Sequence, residues 1–457
     1  MKKWIACFCC LLLGLCFGLS ACRPKGWDPY VPTTEVDWDN IDWEGNNDTS
    51  NNITVIFSQQ FRSYYDDLVQ DFTAEHPEYT VTPIYAASGG GVYDKQNNDI
   101  GARNAPDVFV GGDVYLSSYQ GLLMPLDKLV ERDAEEVDPD DFLPGVLDNL
   151  SGGGHLYFLP EYVNVGVLYY NKELFDRAGL SYPTDDWTYD QFYAAAKQLT
   201  KKKTGDEIYE QWGVFNDYTW WGNWLPLVRM FGGEVMNAEG YVTLDTDEAI
   251  AAFESYAKWT GKAQQPDTWG DKIAAGPTED TLGGFEGKKT AMLYGGNVGN
   301  WLSYSGAQLD WDIAKLPVNP ETGKSGAEFA IQGYGIFQGT KNVKGSWEFI
   351  KYLTRKRTSV EELNQFGYPT PRTSGKELLL SVPKAQRAKP QNIEALFDTI
   401  EEGLAMPLPK VDYFNDVAQN KINPYIVRML NGEKTPRECA IEMTEQANFY
   451  IRDFYLF

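Results

Sequence analysis

Aromatic and amide side chains concentrate in one stretch of the sequence, Asn216-Asp-Tyr-Thr-Trp-Trp-Gly-Asn-Trp224. Flat aromatic rings pack on apolar C–H surfaces and amides bond hydroxyl groups, so this mixture suits a ligand with a polar rim and apolar faces, such as a sugar. We therefore predict that Trp220, Trp221 and Asn223 contact a carbohydrate, with packing in the core as the alternative for the two tryptophans. Trp224 stands beside leucines, and we predict that it belongs to the core.

Polar residues at the ends of predicted strands form a second group of candidates. Ser58, Gln59 and Gln60 follow the first predicted strand, where a polar turn can bond hydroxyl groups, and Gly112 would let backbone amides approach a ligand closely. The remaining candidates are Asp113, Asn297, Gln332 and Arg372. Arg372 could bond hydroxyls or a uronate carboxylate with two parallel hydrogen bonds, and a structural salt bridge is the alternative.

Residue types that carry catalysis or metal binding are poorly placed for either task. His76 and His155 have no partner at metal-ligand spacing, which argues against a zinc site and against a catalytic triad. Tyr169 and Tyr170 lie in an apolar strand pattern, which favours core packing. We identify no cofactor motif. With 65 acidic residues some carboxylate pair would always suit a glycosidase, so a surface carbohydrate-active enzyme stays open as the alternative.

The amino terminus indicates export and lipid attachment. Lys2 and Lys3 precede the apolar run Trp4–Gly18, which is short for a membrane span. The run ends in Leu19-Ser-Ala-Cys22, which resembles a bacterial lipobox. We predict that residues 1–21 are a lipoprotein signal peptide and that Cys22 becomes lipidated, which would anchor the chain to a membrane.

The residues that follow Cys22 have the composition of a spacer. Residues 22–52 are rich in Asp, Asn, Pro and Thr without an apolar period, which is typical of a flexible tether. Beyond the tether only Cys439 remains, on the apolar side of a predicted helix, and we predict a buried core thiol. The net charge of −25 repels polyanions and excludes nucleic acid as a natural partner.

From Ile53 onward strand patterns alternate with helix patterns, which predicts layered α/β structure with a largely parallel sheet. Thr188 and Gln191 have the form of a capping box, and Asp245 is predicted to cap a later helix. Just over 400 residues of this kind exceed one ordinary core, so two lobes are expected.

Four blocks of sequence, in this order and spacing, resemble the extracellular solute-binding proteins of sugar ABC transporters, the group that includes maltose-binding protein. Their sequences are Ala105-Pro-Asp-Val-Phe-Val-Gly-Gly-Asp113, Leu159-Pro-Glu-Tyr-Val-Asn-Val-Gly-Val-Leu-Tyr-Tyr-Asn-Lys-Glu-Leu-Phe-Asp-Arg-Ala-Gly-Leu180, Phe285-Glu-Gly-Lys-Lys-Thr-Ala-Met-Leu293 and Gln332-Gly-Tyr-Gly-Ile-Phe337. The resemblance implies a two-lobed clamshell of the periplasmic-binding-protein type, with a hinge and discontinuous lobes. It also implies a monomer that binds sugar in the interlobe cleft, delivers it to an ABC permease and performs no catalysis.

The resemblance further implies where the lobes divide. Residues 53–161 with about 331–372 would form the N-terminal lobe, and residues 162–330 with about 373–457 the C-terminal lobe. The chain would pass between lobes just after Pro160, near Ala330, and between Pro371 and Lys384. Asn164 stands where maltose-binding protein has an acidic sugar contact, so Asn164 is a candidate contact and a departure from that protein's pattern.

Overall fold

The computed structural model describes residues 51–87, 91–202, 209–215, 221–259, 273–275, 285–296, 309–360, 368–411 and 413–455. The strands within these ranges are β1 (Asn52–Ser58), β2 (Thr80–Ala86), β3 (Val108–Gly112), β4 (Ser151–Gly152), β5 (His155–Leu156), β6 (Leu159–Val165), β7 (Val167–Asn171), β8 (Lys201–Lys202), β9 (Tyr209–Phe215), β10 (Ala274–Ala275), β11 (Thr290–Gly296), β12 (Trp311–Ala314), β13 (Ala327–Ile336) and β14 (Ala405–Pro407). The predictions for residues 1–21, Cys22, Trp220 and Asn297 fall outside the described residues, as does the predicted tether up to residue 50. Its last residue, Asn52, is the first residue of β1.

Helices cover the sheets. They are α1 (Arg62–Glu75), α2 (Gly91–Gly101), α3 (Leu116–Tyr119), α4 (Asp127–Arg132), α5 (Ala134–Val137), α6 (Val146–Asn149), α7 (Lys172–Ala178), α8 (Tyr189–Leu199), α9 (Trp221–Met230), α10 (Asp247–Ala257), α11 (Val343–Thr354), α12 (Thr373–Leu380), α13 (Glu394–Glu401), α14 (Phe414–Val417), α15 (Asn423–Leu430) and α16 (Pro436–Phe454). Within the described ranges, no helix combines the length and the apolar character needed to span a bilayer.

Two six-stranded sheets organise the chain. The first has the order β14-β13-β3-β1-β2 with β6 also paired to β13, and the second has the order β10-β9-β11-β7-β12 with β8 paired to β9. The α/β class is confirmed, but the sheets are mixed and the prediction of a largely parallel sheet is wrong. Strands β13 and β7 run antiparallel to β3 and β11, because each is the first strand after the chain enters that sheet from the other one.

Local signals in the sequence set several helix ends and core positions. The capping box of Thr188 and Gln191 is present at α8. The prediction for Asp245 is wrong, because Thr246 caps α10 by accepting from the Ala249 amide. Trp224 and Cys439 are fully buried as predicted, and burial raises the pKa of the Cys439 thiol to about 11.

Packing shows where the chain changes from one sheet to the other. Gly166 alone separates β6 from β7, a few residues after the predicted crossing, and its amide donates to the Glu328 carbonyl at 3.0 Å. The return passage lies between β12 and β13, ahead of Ala330. After Lys384 the chain is bonded to the second sheet, because the Asn392 amide donates to Asp312 Oδ1 at 3.0 Å and Lys315 donates to Glu402 at 2.6 Å. Strand β14 then pairs with β13 of the first sheet. The third predicted passage, between Pro371 and Lys384, stays a prediction.

Two carboxyl groups are buried close to these passages. The Ile331 amide donates to Asp113 Oδ1 at 2.8 Å, and Glu328 is 3% exposed on β13. Asp113 Oδ2 and Glu328 Oε2 have no hydrogen-bond partner in the described part of the chain. Arg229 of α9 donates to the carbonyls of Met406 and Pro407, at 2.9 and 2.5 Å.

Burial dominates the charge state of this pair. Desolvation raises the pKa of Asp113 to about 7 and, reinforced by Asp113, that of Glu328 to about 8, although the nearby Arg229 charge opposes the second shift. An acid whose pKa is raised by folding is bound to its proton more tightly in the folded chain. The protonated carboxyl therefore contributes fully to stability below the pKa that it has in the unfolded chain, near ~4. This contribution is lost as the pH rises towards 8.

Replacing Glu328 with Gln should remove this pH-dependent cost. We expect Glu328→Gln to raise the free energy of unfolding at pH 8.5 by on the order of 1–3 kcal/mol, with a much smaller gain at pH 5. Urea unfolding at both pH values measures the difference, with Glu445→Gln, at an exposed position of α16, as the matched control. An equal effect of Glu328→Gln at both pH values would contradict this description of the pair.

Candidate ligand-binding site

A cavity of about 190 Å³ opens where β1 ends and β6 and β13 run side by side. We call it the tyrosine cavity. Its lining consists of Ile56, Phe57, Ser58, Gln60, Phe61, Tyr65, Val92, Tyr93, Val110, Tyr162, Gln332, Tyr334 and Tyr368. Pockets that enclose small-molecule ligands usually measure ~300–1,000 Å³, so this volume suits one half of a site that a second lobe completes.

Stacked aromatic rings build one wall of the tyrosine cavity. Tyr162 and Tyr368 lie nearly parallel, with ring centroids 4.0 Å apart and planes inclined by 10°, and Phe61 meets Tyr368 edge-on at 6.0 Å. A second stacked pair, Tyr93 and Tyr115, has centroids 3.8 Å apart. Such walls offer a flat apolar surface and a hydroxyl at its edge, which are the groups a sugar ring can use.

A buried carboxylate fixes the polar groups behind this wall. Glu161 is 1% exposed, and its Oε1 accepts hydrogen bonds from Tyr65, at 3.0 Å, and from Tyr334. Its Oε2 accepts from Gln332 Nε2 at 2.9 Å. Because a carboxylate can only accept, the nitrogen of the Gln332 amide must face it, and Gln332 Oε1 accepts from the Tyr93 hydroxyl at 3.1 Å. The orientation of the Gln332 amide is therefore set before any ligand arrives.

A β-bulge puts Glu161 in this position. Tyr162 pairs with Gln332 and Pro160 pairs with Gly333, which leaves Glu161 as the extra residue of β6. A bulge re-aims the side chain of the extra residue, and here it turns the carboxylate towards Tyr65 and β13. Gly333 is needed at this point, since a Cβ there would lie 2.2 Å from the Leu159 carbonyl oxygen.

Three of the predicted contact residues line the tyrosine cavity, namely Ser58, Gln60 and Gln332. Ser58 also caps the turn that follows β1, because its Oγ accepts from the Gln60 amide at 3.3 Å. Gln59 is exposed on the same turn but is not part of the lining. The prediction that the polar turn after the first strand faces a pocket thus agrees with the geometry at two of its three positions.

Three other predicted residues lie in or beside the first sheet, outside the lining of the tyrosine cavity. Gly112 is required by the neighbouring strand, because a Cβ there would lie 1.8 Å from the Ile331 carbonyl oxygen. The Asp113 carboxyl accepts a hydrogen bond from the Ile331 amide of that strand. Asn164 lies opposite Ala330 on the half-buried side of β6, outside the lining of the tyrosine cavity.

Two members of the predicted aromatic cluster, Trp221 and Asn223, are buried, whereas Trp220 lies outside the described residues. Trp221 is 5% exposed inside the second core, where its indole donates to Asn415 Oδ1 at 3.0 Å and meets Phe414 edge-on. Asn223 is 4% exposed, and its Oδ1 would lie 3.3 Å from a Cβ at Gly295. Every residue of α9 is buried, so Trp221 packs as Trp224 does.

Arg372 has the structural role that the sequence left open as an alternative. Its Nη2 donates to the Val137 carbonyl at 2.9 Å, its Nε to the Thr354 carbonyl at 3.2 Å, and its Nη1 to Asp141 at 3.4 Å. The guanidinium also lies over the Phe142 ring. With these bonds made and 3% of the residue exposed, Arg372 is not placed to bind a ligand.

Sequence reasoning missed most of the tyrosine cavity. Glu161 and Tyr162 lie inside the block that carried the family resemblance, where a charged residue in an apolar strand is the one available signal. Tyr368 is the residue before Pro369, with no local pattern that marks it. The stacking of Tyr162 on Tyr368 depends on the fold, because distant segments of the chain form it.

Comparison with known proteins agrees with this architecture. A family profile described as "Bacterial extracellular solute-binding protein" matches residues 58–358. The sn-glycerol-3-phosphate-binding periplasmic protein of Escherichia coli is 24% identical over 416 residues, which cover 85% of this chain and 89% of that protein.

Solved structures show the same two-lobed fold. An ABC substrate-binding protein of Listeria monocytogenes in complex with cycloalternan has a TM-score of 0.74 at 22% identity, covering 88% of this chain and 99% of that one. A Mycobacterium tuberculosis protein in complex with glycerophosphocholine has a TM-score of 0.71 at 18% identity, covering 88% and 98%. Because the family profile spans most of the chain, this protein belongs to the bacterial extracellular solute-binding proteins.

Proposed function

We propose that this protein is the substrate-binding component of an ABC importer, which binds a sugar or oligosaccharide between its lobes and delivers it to the permease. Family membership implies an extracytoplasmic location. The observation that carries the proposal is the tyrosine cavity, in which the stacked wall of Tyr162 and Tyr368 stands beside the fixed amide of Gln332.

The chemistry of the cavity supports a sugar as the ligand. The aromatic wall can cover the C–H face of a sugar ring, and Ser58, Gln60 and Gln332 can exchange hydrogen bonds with its hydroxyls. Relatives point the same way, since one in Halalkalibacterium halodurans, 26% identical over 208 residues, is an arabinooligosaccharide-binding protein.

Transport by this mechanism requires movement between lobes. A ligand that contacts both lobes stabilises the closed arrangement. We propose that the permease recognises this closed arrangement. Strand β13 connects the two tasks, because it carries Gln332 in the tyrosine cavity and Glu328 beside the passages between the sheets.

We infer that the protein performs no chemistry on its ligand. Glycosidases place two carboxyl groups on either side of the bond that they cleave. The described lining of the tyrosine cavity contains no carboxylate, and Glu161 behind it is engaged by three donors. The similar proteins are binding proteins, which also supports this inference.

We also infer that the mature chain is a monomer held at the outer face of the membrane by lipid on Cys22, with the following residues as a tether. The lipobox-like Leu19-Ser-Ala-Cys22 supports this. Two acyl chains bind a bilayer far more stably than one.

Removing the lipidation site should release the protein. We expect Cys22→Ser to abolish incorporation of labelled palmitate in a bacterial host and to move the protein from the detergent phase to the aqueous phase. Cys439→Ala is the control and should keep both label and detergent partitioning, because its thiol is buried in the core. Unchanged palmitate labelling of Cys22→Ser would refute lipid attachment at this residue.

Removing the aromatic wall should weaken sugar binding. Once a thermal-shift screen of neutral oligosaccharides has given a ligand, we expect Tyr162→Ala or Tyr368→Ala to reduce its affinity roughly 5- to 30-fold, equal to about 1–2 kcal/mol. Titration calorimetry measures the change.

A matched control separates a local effect from a general one. Tyr182 is 36% exposed and lies outside the tyrosine cavity, so Tyr182→Ala should leave the affinity unchanged. Sugar affinity that survives loss of both Tyr162 and Tyr368 would remove the tyrosine cavity from the binding site.

A further inference from the structure

We propose that Glu161 makes the tyrosine cavity selective for uncharged sugars and rejects ligands that carry a carboxylate or a phosphate. The inference rests on the proposed function, because it specifies the class of ligand at the same site. Glu161 acts here through Gln332 and the tyrosines, so it is a positioning and specificity residue that does not itself need to contact the ligand.

The hydrogen bonds at Glu161 favour its charged form. Two tyrosine hydroxyls point to Oε1 and the amide nitrogen of Gln332 points to Oε2. Hydrogen bonds donated to a carboxylate stabilise the anion over the neutral acid. In this proposal Glu161 is ionised, so its negative charge lies directly behind the wall that a ligand contacts.

The negative charge of Glu161 acts on the part of the ligand that lies against Gln332. Because Glu161 holds the nitrogen of this amide, the carbonyl oxygen is directed to Tyr93, whose hydroxyl donates to it at 3.1 Å. An anionic ligand group placed against Gln332 would meet the field of a carboxylate one hydrogen bond away, with little water between them to screen it. A neutral hydroxyl has no such penalty and can exchange hydrogen bonds with the amide.

The described lining of this half of the site carries no opposing charge. None of the described residues that line the tyrosine cavity is Lys, Arg or His. Arg372 was the candidate from the sequence for binding a uronate carboxylate. Its guanidinium instead donates hydrogen bonds to the carbonyls of Val137 and Thr354 and to Asp141. Proteins that bind phosphate or carboxylate normally supply charged or multiple backbone donors, and the lining supplies hydroxyls and amides instead.

The charge of the ligand distinguishes two kinds of similar protein. Similar proteins include one named for arabinooligosaccharide and another named for sn-glycerol 3-phosphate, so overall similarity does not choose between a neutral and an anionic ligand. The placement of Glu161 chooses the neutral class. The net charge of −25 acts in the same direction at long range.

The test compares neutral and anionic probes by titration calorimetry on the mature chain. Neutral probes are arabino-, galacto- and maltooligosaccharides, and anionic probes are oligogalacturonides and sn-glycerol 3-phosphate. We expect the wild type to bind at least one neutral series and to bind the anionic probes at least 100-fold more weakly. In Glu161→Gln this ratio should fall at least tenfold, while Glu161→Asp, which keeps the charge, should retain the ratio even where overall affinity drops.

The outcomes distinguish this inference from the proposed function. Wild-type protein that binds neutral and anionic sugars alike overturns the role of Glu161 and leaves sugar binding intact, whereas binding of sn-glycerol 3-phosphate without any sugar overturns both. Glu161→Gln that weakens both probe classes equally shows a structural role and overturns the inference. If circular dichroism shows that Glu161→Gln is unfolded, the wild-type ratio and its retention in Glu161→Asp decide the matter.

Discussion

Strand β13 is the element on which the rest of the structure depends. It enters from the second sheet, runs for ten residues and pairs with β3, β6 and β14. Along this strand lie Glu328, Gln332 and Tyr334. The strand thus carries the carboxyl group beside the passages between the sheets, an amide that lines the tyrosine cavity, and a hydroxyl that donates to Glu161. At ~3.3 Å per residue, Gln332 lies only about 13 Å from Glu328. Glu328 beside the passages and Gln332 in the tyrosine cavity are therefore joined by one short, continuous stretch of strand.

The bulge at Glu161 places a buried carboxylate beside the tyrosine cavity and interrupts the regular pairing of β6 with β13. An extra residue interrupts the ladder between β6 and β13, and a glycine at position 333 must accommodate the close approach of the backbone. In return, a carboxylate that would be unfavourable in an apolar strand receives three donors, one from helix α1 and two from strand β13. The same arrangement holds the Gln332 amide in one orientation, so the site is organised in advance of its ligand.

Much of the local structure could be predicted from the sequence, because it depends on neighbours in the chain. The capping box at Thr188, the strand over residues 53–57 and the burial of Trp224 and Cys439 all follow from short-range patterns. The direction of β7 and β13 did not follow, since it is set by how the chain enters each sheet. Trp221 misled the prediction because a tryptophan cluster looks alike in a pocket or a core, and only the packing of α9 decides. The wall of Tyr162 and Tyr368 joins distant segments, so no local pattern announces it.

The account as a whole requires two lobes that close on a guest held partly by the tyrosine cavity. Small-angle X-ray scattering of the mature chain, with and without an oligosaccharide at a concentration that calorimetry shows to be saturating, tests this requirement most directly. We predict that the radius of gyration decreases when the sugar is bound and returns to its original value when the sugar is removed. A radius of gyration that stays the same at full occupancy would contradict closure of the lobes around the ligand.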